Sequence, residues 1–175
     1  MKIVVLGGSP KGEISVTMQY VKYMQKYLSE HDFTIIQAAL PIKRLEKNQN
    51  DFFERIKQIY KADIIVWAFP LYYCLVCSAY KRFIELIFER SSASAFESKY
   101  AVSLSTSINF YDHTAHNYIR SISEDLGMKY IGFFSANMND ILSEQGRKKL
   151  ESFSDYFTES AEKDVKIPRY SIPLP

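Results

Sequence analysis

Apolar positions along the chain fall into two rhythms. Short continuous runs alternate with longer stretches in which apolar residues recur three and four apart, the spacings of buried strands and amphipathic helices. The first run, Ile3-Val4-Val5-Leu6, predicts a strand over residues 4–6. Residues 15–28 follow with Val16, Tyr20, Tyr23, Met24 and Tyr27 on one stripe, which predicts a helix. Residues 33–38, rich in β-branched and aromatic side chains, predict a second strand, and residues 41–50 read as a polar loop. Phe52, Phe53, Ile56, Ile59 and Tyr60 then carry helical spacing. Asp63 introduces Ile64-Ile65-Val66-Trp67-Ala68-Phe69, the strongest strand, stopped by Pro70. An unbroken apolar run of this kind suits a central parallel strand covered on both faces. Beyond it the pattern predicts a helix over 78–89, with Tyr80, Phe83, Ile84, Ile87 and Phe88 as its stripe, and a strand over 100–105. A helix over 113–126 capped by Gly127, a strand over 130–135 and a helix over 143–162 complete the series. Five strands alternating with five helices imply a right-handed, doubly wound parallel sheet.

Composition narrows the function classes. With 175 residues and 47% hydrophobic content the chain suits one well-buried domain, here taken as residues 1–165. A net charge of +2, from 22 basic and 20 acidic residues, makes no electrostatic case for nucleic acid. No apolar run is long enough to span a bilayer, and the strand-like start does not read as a signal peptide. Cys74 and Cys77 do not make a secreted disulfide framework, so the expected compartment is the cytoplasm. Residues 166–175, with three prolines in the last eight positions, cannot form a helix and read as a docking arm or a linker.

The chemistry concentrates where strands end. Gly7-Gly8-Ser9-Pro10-Lys11-Gly12-Glu13-Ile14-Ser15-Val16-Thr17 joins the first strand to the first helix. Converging backbone N–H groups, hydroxyls and a helix N-terminus make such a turn an anion site, and its natural guest is a phosphate. Neither the Walker pattern nor Gly-x-Gly-x-x-Gly is present, which disfavours an NTPase loop and a dinucleotide site. In a doubly wound sheet of order 2-1-3-4-5 the crevice lies at the loops after the first, third and fourth strands. The third-strand loop, Phe69-Pro70-Leu71-Tyr72-Tyr73, offers a rigid turn and aromatics to a planar ring. The fourth, Ser105-Thr106-Ser107-Ile108-Asn109-Phe110-Tyr111, offers polar donors to a ring edge. Phosphate donors, a flat platform and edge donors together describe a mononucleotide with a large flat head, and FMN fits that description best.

Two motifs carry a family resemblance over most of residues 1–160. Gly8-Ser9-Pro10-Lys11 with Ser15-Val16-Thr17 resembles the Gly-Ser-Pro-Arg…Ser-Asn-Thr loop of the NAD(P)H-dependent FMN reductase and iron–sulfur flavoprotein group. Phe69-Pro70-Leu71-Tyr72…Ser78-Ala79-Tyr80-Lys81-Arg82-Phe83-Ile84 is similar to its second motif, Pro-x-Tyr…Ser-Ala-x-x-Lys-x-Phe-Ile-Asp. The resemblance implies a three-layer flavodoxin-like fold with a five-stranded parallel sheet in the order 2-1-3-4-5. It implies that Ser9, Lys11, Ser15, Val16 and Thr17 surround the FMN phosphate, that Pro70, Leu71, Tyr72 and Tyr73 run along the isoalloxazine, and that Ser105, Thr106 and Ser107 approach the ring edge. Lys11 stands where arginine is usual and lacks its bidentate fork. Val16 replaces asparagine and removes a side-chain donor, which keeps open a domain that retained the fold without the cofactor. Glu85 sits one residue from the usual aspartate, and the cluster cysteines of the iron–sulfur members are absent.

The implied activity is hydride uptake from NAD(P)H, with electrons passed to a quinone, flavin, metal ion or protein carrier. Flavin supplies that chemistry, so no catalytic base or metal is expected. The alternative is an FMN-binding electron-transfer module without its own NAD(P)H site. Cys74 and Cys77 read either as a redox dithiol, with Cys77 activated by a helix N-terminus, or as packing residues. His113 and His116, after a capping Asp112, read as anion-binding or proton-shuttling groups at the cleft mouth or as solvated helix residues. Trp67 is expected in the core. Aromatic residues Phe88, Phe96, Tyr111 and Tyr118, together with the resemblance, favour a homodimer.

Overall fold

The computed structural model describes residues 1–108 and 111–173. Asn109 and Phe110 of the fourth-strand loop, and Leu174 and Pro175 of the tail, lie outside the described residues. Five strands, β1 (Lys2–Gly7), β2 (Asp32–Gln37), β3 (Ile64–Pro70), β4 (Tyr100–Ser107) and β5 (Lys129–Asn137), form one sheet. Their order is β2-β1-β3-β4-β5, and every pair is parallel, as the sequence predicts. The connecting helices are α1 (Val16–Tyr27), α2 (Ile42–Lys47), α3 (Gln49–Tyr60), α4 (Ser78–Glu89), α5 (His113–Asp125) and α6 (Glu144–Glu162).

Alternation along the inner strands sorts side chains into two cores. Ile3 and Val5 of β1, with Ile64, Val66 and Ala68 of β3, pack against Met18, Val21 and Met24 of α1 and Leu150 and Phe157 of α6. Val4, Leu6, Ile65, Trp67 and Phe69 point the other way, into a cluster with α3, α4 and α5. Trp67 is fully buried, as expected, and stacks on Phe96 with ring centroids 6.0 Å apart. Phe96 is therefore core, which corrects its place among the surface aromatics.

Three features depart from the pattern-based reading. The polar stretch 41–50 contains α2, because Leu45 is fully buried and Arg90 donates to the carbonyls of Leu45 and Glu46 at the helix end. Six helical residues with one buried side chain are too few for periodicity to show. β4 runs to Ser107 rather than ending at Ser105, so residues 105–107 alternate between faces of the sheet. Residues 166–173 fold back on their own chain: Arg169 donates to the Glu124 carbonyl at 2.9 Å and pairs with Asp125, while Ser171 N–H donates to Glu124 at 2.7 Å. Gly127 ends α5 as predicted, at φ +75°. Its neighbour Met128 donates to the Ser123 carbonyl at 2.9 Å, completing the turn. Among the described residues no helix is long and apolar enough to cross a membrane.

Candidate functional site

The carboxyl ends of β1, β3 and β4 open into one cleft of about 530 Å³. Its first wall follows β1. Gly8 donates to the Ala68 carbonyl at 2.7 Å, and a Cβ there would lie 2.6 Å from the Tyr80 ring, so no larger residue fits between strand and helix. The chain then turns through Gly12 at φ +58°, where glycine is preferred, into a single 3-10 turn, Gly12–Ile14. The Ser15 side chain caps α1 by accepting from the Met18 N–H at 3.3 Å. The Val16 and Thr17 amides, first in the helix, have no intrahelical acceptor. Ser9, Lys11, Ser15, Val16 and Thr17 all line the cleft, and Ile14, 83% exposed, joins them.

The second wall follows β3. Leu71 donates to the Thr106 carbonyl at 3.0 Å, tying this loop to β4. Tyr72 and Leu75 exchange backbone bonds of 2.8 and 3.0 Å around a two-residue tip. Both tip residues have positive φ, +44° at Tyr73 and +65° at Cys74. Such a turn normally takes glycine or asparagine, so the tip is strained, and strain of this kind concentrates at functional sites. Pro70, Leu71, Tyr72, Tyr73 and Cys74 line the cleft, with Tyr73 fully exposed. Cys77 is buried instead, its thiol donating to the Gly8 carbonyl at 3.3 Å. Burial pushes this thiol's pKa up against the pull of the Tyr80 and Ala79 amides, so the helix start does not activate it. That observation favours the packing reading for Cys77; Cys74, exposed at the loop tip, is not the buried packing residue that this reading expected.

The third wall follows β4. Thr106 and Ser107 reach the cleft, with Ile108 and Tyr111 beyond them and Met138 from the loop after β5. The Thr106 and Thr17 hydroxyls lie 2.6 Å apart, which links the third wall to the first. Ser105 is the exception among the expected residues. It points to the α5 side of the sheet, is fully buried and donates to Asp112. His116 is likewise buried beneath the wall, not solvated, while His113 is exposed. Asp112 sits at the start of α5, but its carboxylate makes no cap and serves Ser105 and Ser135 instead. Glu85 pairs with Arg82 at 2.9 Å on the outside of α4, away from the lining.

Sequence reasoning missed Ile14, Cys74, Ile108, Tyr111 and Met138 as lining residues. An apolar Ile14 in an otherwise polar turn was a usable signal. Met138 carried none, since the loop after a fifth strand does not belong to the crevice that strand order predicts.

Among the described residues, the lining contains one cation, Lys11, and no carboxylate. Hydroxyls and helix-end amides cluster at one end and aromatic and aliphatic surfaces at the other. This donor set suits a phosphate ester carrying a flat apolar group.

A family model described as a flavodoxin-like fold matches residues 1–157. The chain belongs to the flavodoxin-like family. Membership accords with the strand order and with the resemblance carried by the two loop motifs. Among solved structures, an apo NADH:FMN oxidoreductase (EMOB) is similar at 19% identity and a TM-score of 0.76, covering 91% of this chain and 89% of that one. FerB, an NAD(P)H:(acceptor) oxidoreductase from Paracoccus denitrificans, is similar at 16% identity and a TM-score of 0.73, covering 93% and 97%. An FMN-dependent NADH-azoreductase from Bacillus anthracis, in complex with FMN, is similar at 15% identity and a TM-score of 0.63, covering 89% and 99%. At these identities the likeness is one of flavodoxin-like fold. No curated protein sequence matches the chain.

Proposed function

We propose that this protein is an FMN-dependent oxidoreductase that takes hydride from NADH or NADPH and passes electrons to a small acceptor or a protein carrier. The observation that carries the reading is the polarity of the cleft: among the described residues it has one cation and helix-end donors at one end, a flat apolar wall at the other and no carboxylate between. The similar structures named above, which are NADH- or NAD(P)H-dependent oxidoreductases, support it.

When bound, FMN would supply the hydride-accepting and electron-donating chemistry. Ser9, Ser15, Thr17 and the first amides of α1 hold the phosphate, with Lys11 adding the countercharge. Pro70, Leu71, Tyr72 and Tyr73 shape the face along the ring, and the apolar surface excludes water there. Thr106 and Ser107 offer donors to the ring edge, where negative charge develops on reduction. Ser105 supports that edge from behind rather than touching it. Residues 1–165 form the cofactor-binding unit, and the described part of the tail, residues 166–173, straps back onto it. The exposed apolar residues that line the cleft mouth, Tyr73, Ile108 and Tyr111, fit a homodimer that completes the substrate pocket. The free thiols Cys74 and Cys77 fit a cytoplasmic setting.

Absorbance of the purified protein with added FMN, followed by anaerobic NADH and then NADPH, tests the reading. Flavin absorbance that bleaches with either nucleotide is the expected result. Bleaching by dithionite alone would make the protein an electron-transfer module. No uptake of FMN would overturn the proposal.

A further inference from the structure

Beneath the cleft, one buried carboxylate organises a chain of hydrogen bonds that the proposed chemistry does not use. Asp112 and His116 are 4% and 2% exposed. Burial alone would raise the Asp112 pKa, but donation from Ser105 and Ser135, with His116 nearby, outweighs it and holds the carboxyl below its ordinary value. An ionised Asp112 only accepts, so Ser135 donates to it at 2.5 Å and Ser105 donates to the same oxygen. Having spent its proton there, Ser105 can only accept from His116, whose Nε2 lies 3.0 Å from it and 3.3 Å from Asp112. Nε2 therefore carries the ring proton, and Nδ1 accepts from Ser103 at 2.7 Å. Ser103 in turn accepts from Tyr130. One charge thus fixes the direction of every bond in the chain.

The geometry places this network at a particular point of the fold. Ser105 lies immediately before the cleft-lining Thr106 and Ser107, and Asp112 immediately after the cleft-lining Tyr111. The bond between them closes both ends of the third wall, and Ser135 anchors the closure to β5. His116 braces it from α5, its ring stacked on Phe133 at 4.3 Å. We propose that Asp112 is the positioning residue of the third wall and His116 its supporting donor, so that together they set where Thr106 and Ser107 meet the ring edge of the bound ligand. This proposal rests on the flavin reading for its ligand, but not for the closure itself.

The test uses the full chain and the variants Asp112→Asn, His116→Phe, His116→Gln and Ser135→Ala. Phenylalanine keeps the ring packing and removes both nitrogen contacts, whereas glutamine restores an N–H toward the carboxylate. Titration with FMN, followed by quenching of its fluorescence, is expected to show affinity weakened about tenfold or more in Asp112→Asn and His116→Phe. The midpoint potential of the bound flavin should shift in both, His116→Gln should recover most of each loss, and Ser135→Ala should lose least. In the ligand-free protein, amide hydrogen exchange at Ser107, Ile108 and Tyr111 should rise in the same two variants while exchange in β1 stays unchanged. Should Asp112→Asn fail to fold, the two His116 variants decide the matter alone. Unchanged exchange together with unchanged affinity and potential would overturn the proposal, as would a loss that glutamine does not recover. If the unaltered protein takes up no FMN but exchange responds as described, the flavin reading falls and the positioning role stands.

Discussion

The loop after β1 and the segment after β4 line the same cleft, yet one is held by its own backbone and the other by side chains buried beneath it. In the first, Gly8 accepts close packing against Tyr80, Gly12 takes a left-handed turn and Ser15 caps the helix three residues later. Gly12 and Ser15 act within a few residues of sequence, and only Gly8 answers to a distant element. In the second, Ser105, Asp112, His116 and Ser135 come from two strands and a helix and meet only when the sheet has formed. The comparison teaches that a ligand-binding wall can be encoded locally or assembled late. The two kinds respond differently to mutation and to pH.

The largest effect should come from the assembled wall. Asp112→Ala leaves the Ser105 and Ser135 hydroxyls without their acceptor in a buried site and removes the charge that faces the His116 N–H, at a cost of about 3 kcal/mol or more in urea unfolding. A loss below about 1 kcal/mol would mean that the closure carries little stability.

Acid should reveal the same wall. Burial lowers the His116 pKa to about 4 from its ordinary 6.5, although Asp112 pulls it upward. Between those values the unfolded chain binds a proton that the folded chain does not, so stability rises with pH across the window. The contribution is complete above pH 6.5 and falls away toward pH 4, by about 3 kcal/mol at most. Asp112, whose pKa is also depressed, adds a further loss below its ordinary 3.8. Urea midpoints at several pH values should show this slope in the unaltered protein and a flatter one in His116→Phe.

The local wall breaks by sterics and capping. Gly8→Ala forces a methyl to within 2.6 Å of the Tyr80 ring and should cost about 1–3 kcal/mol, read as a lowered thermal midpoint, with FMN affinity falling in step. Ser15→Ala should cost about 1 kcal/mol by leaving the Met18 amide uncapped. Neither change should alter the pH slope. If Ser15→Ala did, the two walls would be coupled, through the Thr17–Thr106 contact, more tightly than the comparison allows.

Much of the fold was readable because its signals are short-ranged or periodic. Ile64 to Phe69 announced a central strand, and that strand is fully buried between two helix layers. The first-wall residues were readable for the same reason, since glycine, a capping serine and a helix start lie side by side. The short α2 escaped because Leu45 alone marks its buried face. Ser105 was misplaced because the strand was ended too early: β4 continues to Ser107, so Ser105 lies two residues below the strand end, buried beneath the cleft. His116 looked like a solvated helix residue because its position near a helix start says nothing about what lies beneath that helix.

What the sequence determined alone is the layout, which strands are central, where the longer helices begin and which turns meet at the cleft. Periodicity, glycine and capping act over one or two turns of chain, so the residues themselves contain the information. Only the tertiary structure decided that Asp112 abandons capping for a buried closure, that His116 is neutral, and that the tail straps back onto Glu124. Those outcomes depend on burial and on hydrogen bonds between segments distant in sequence, and they exist only once the sheet brings those segments together.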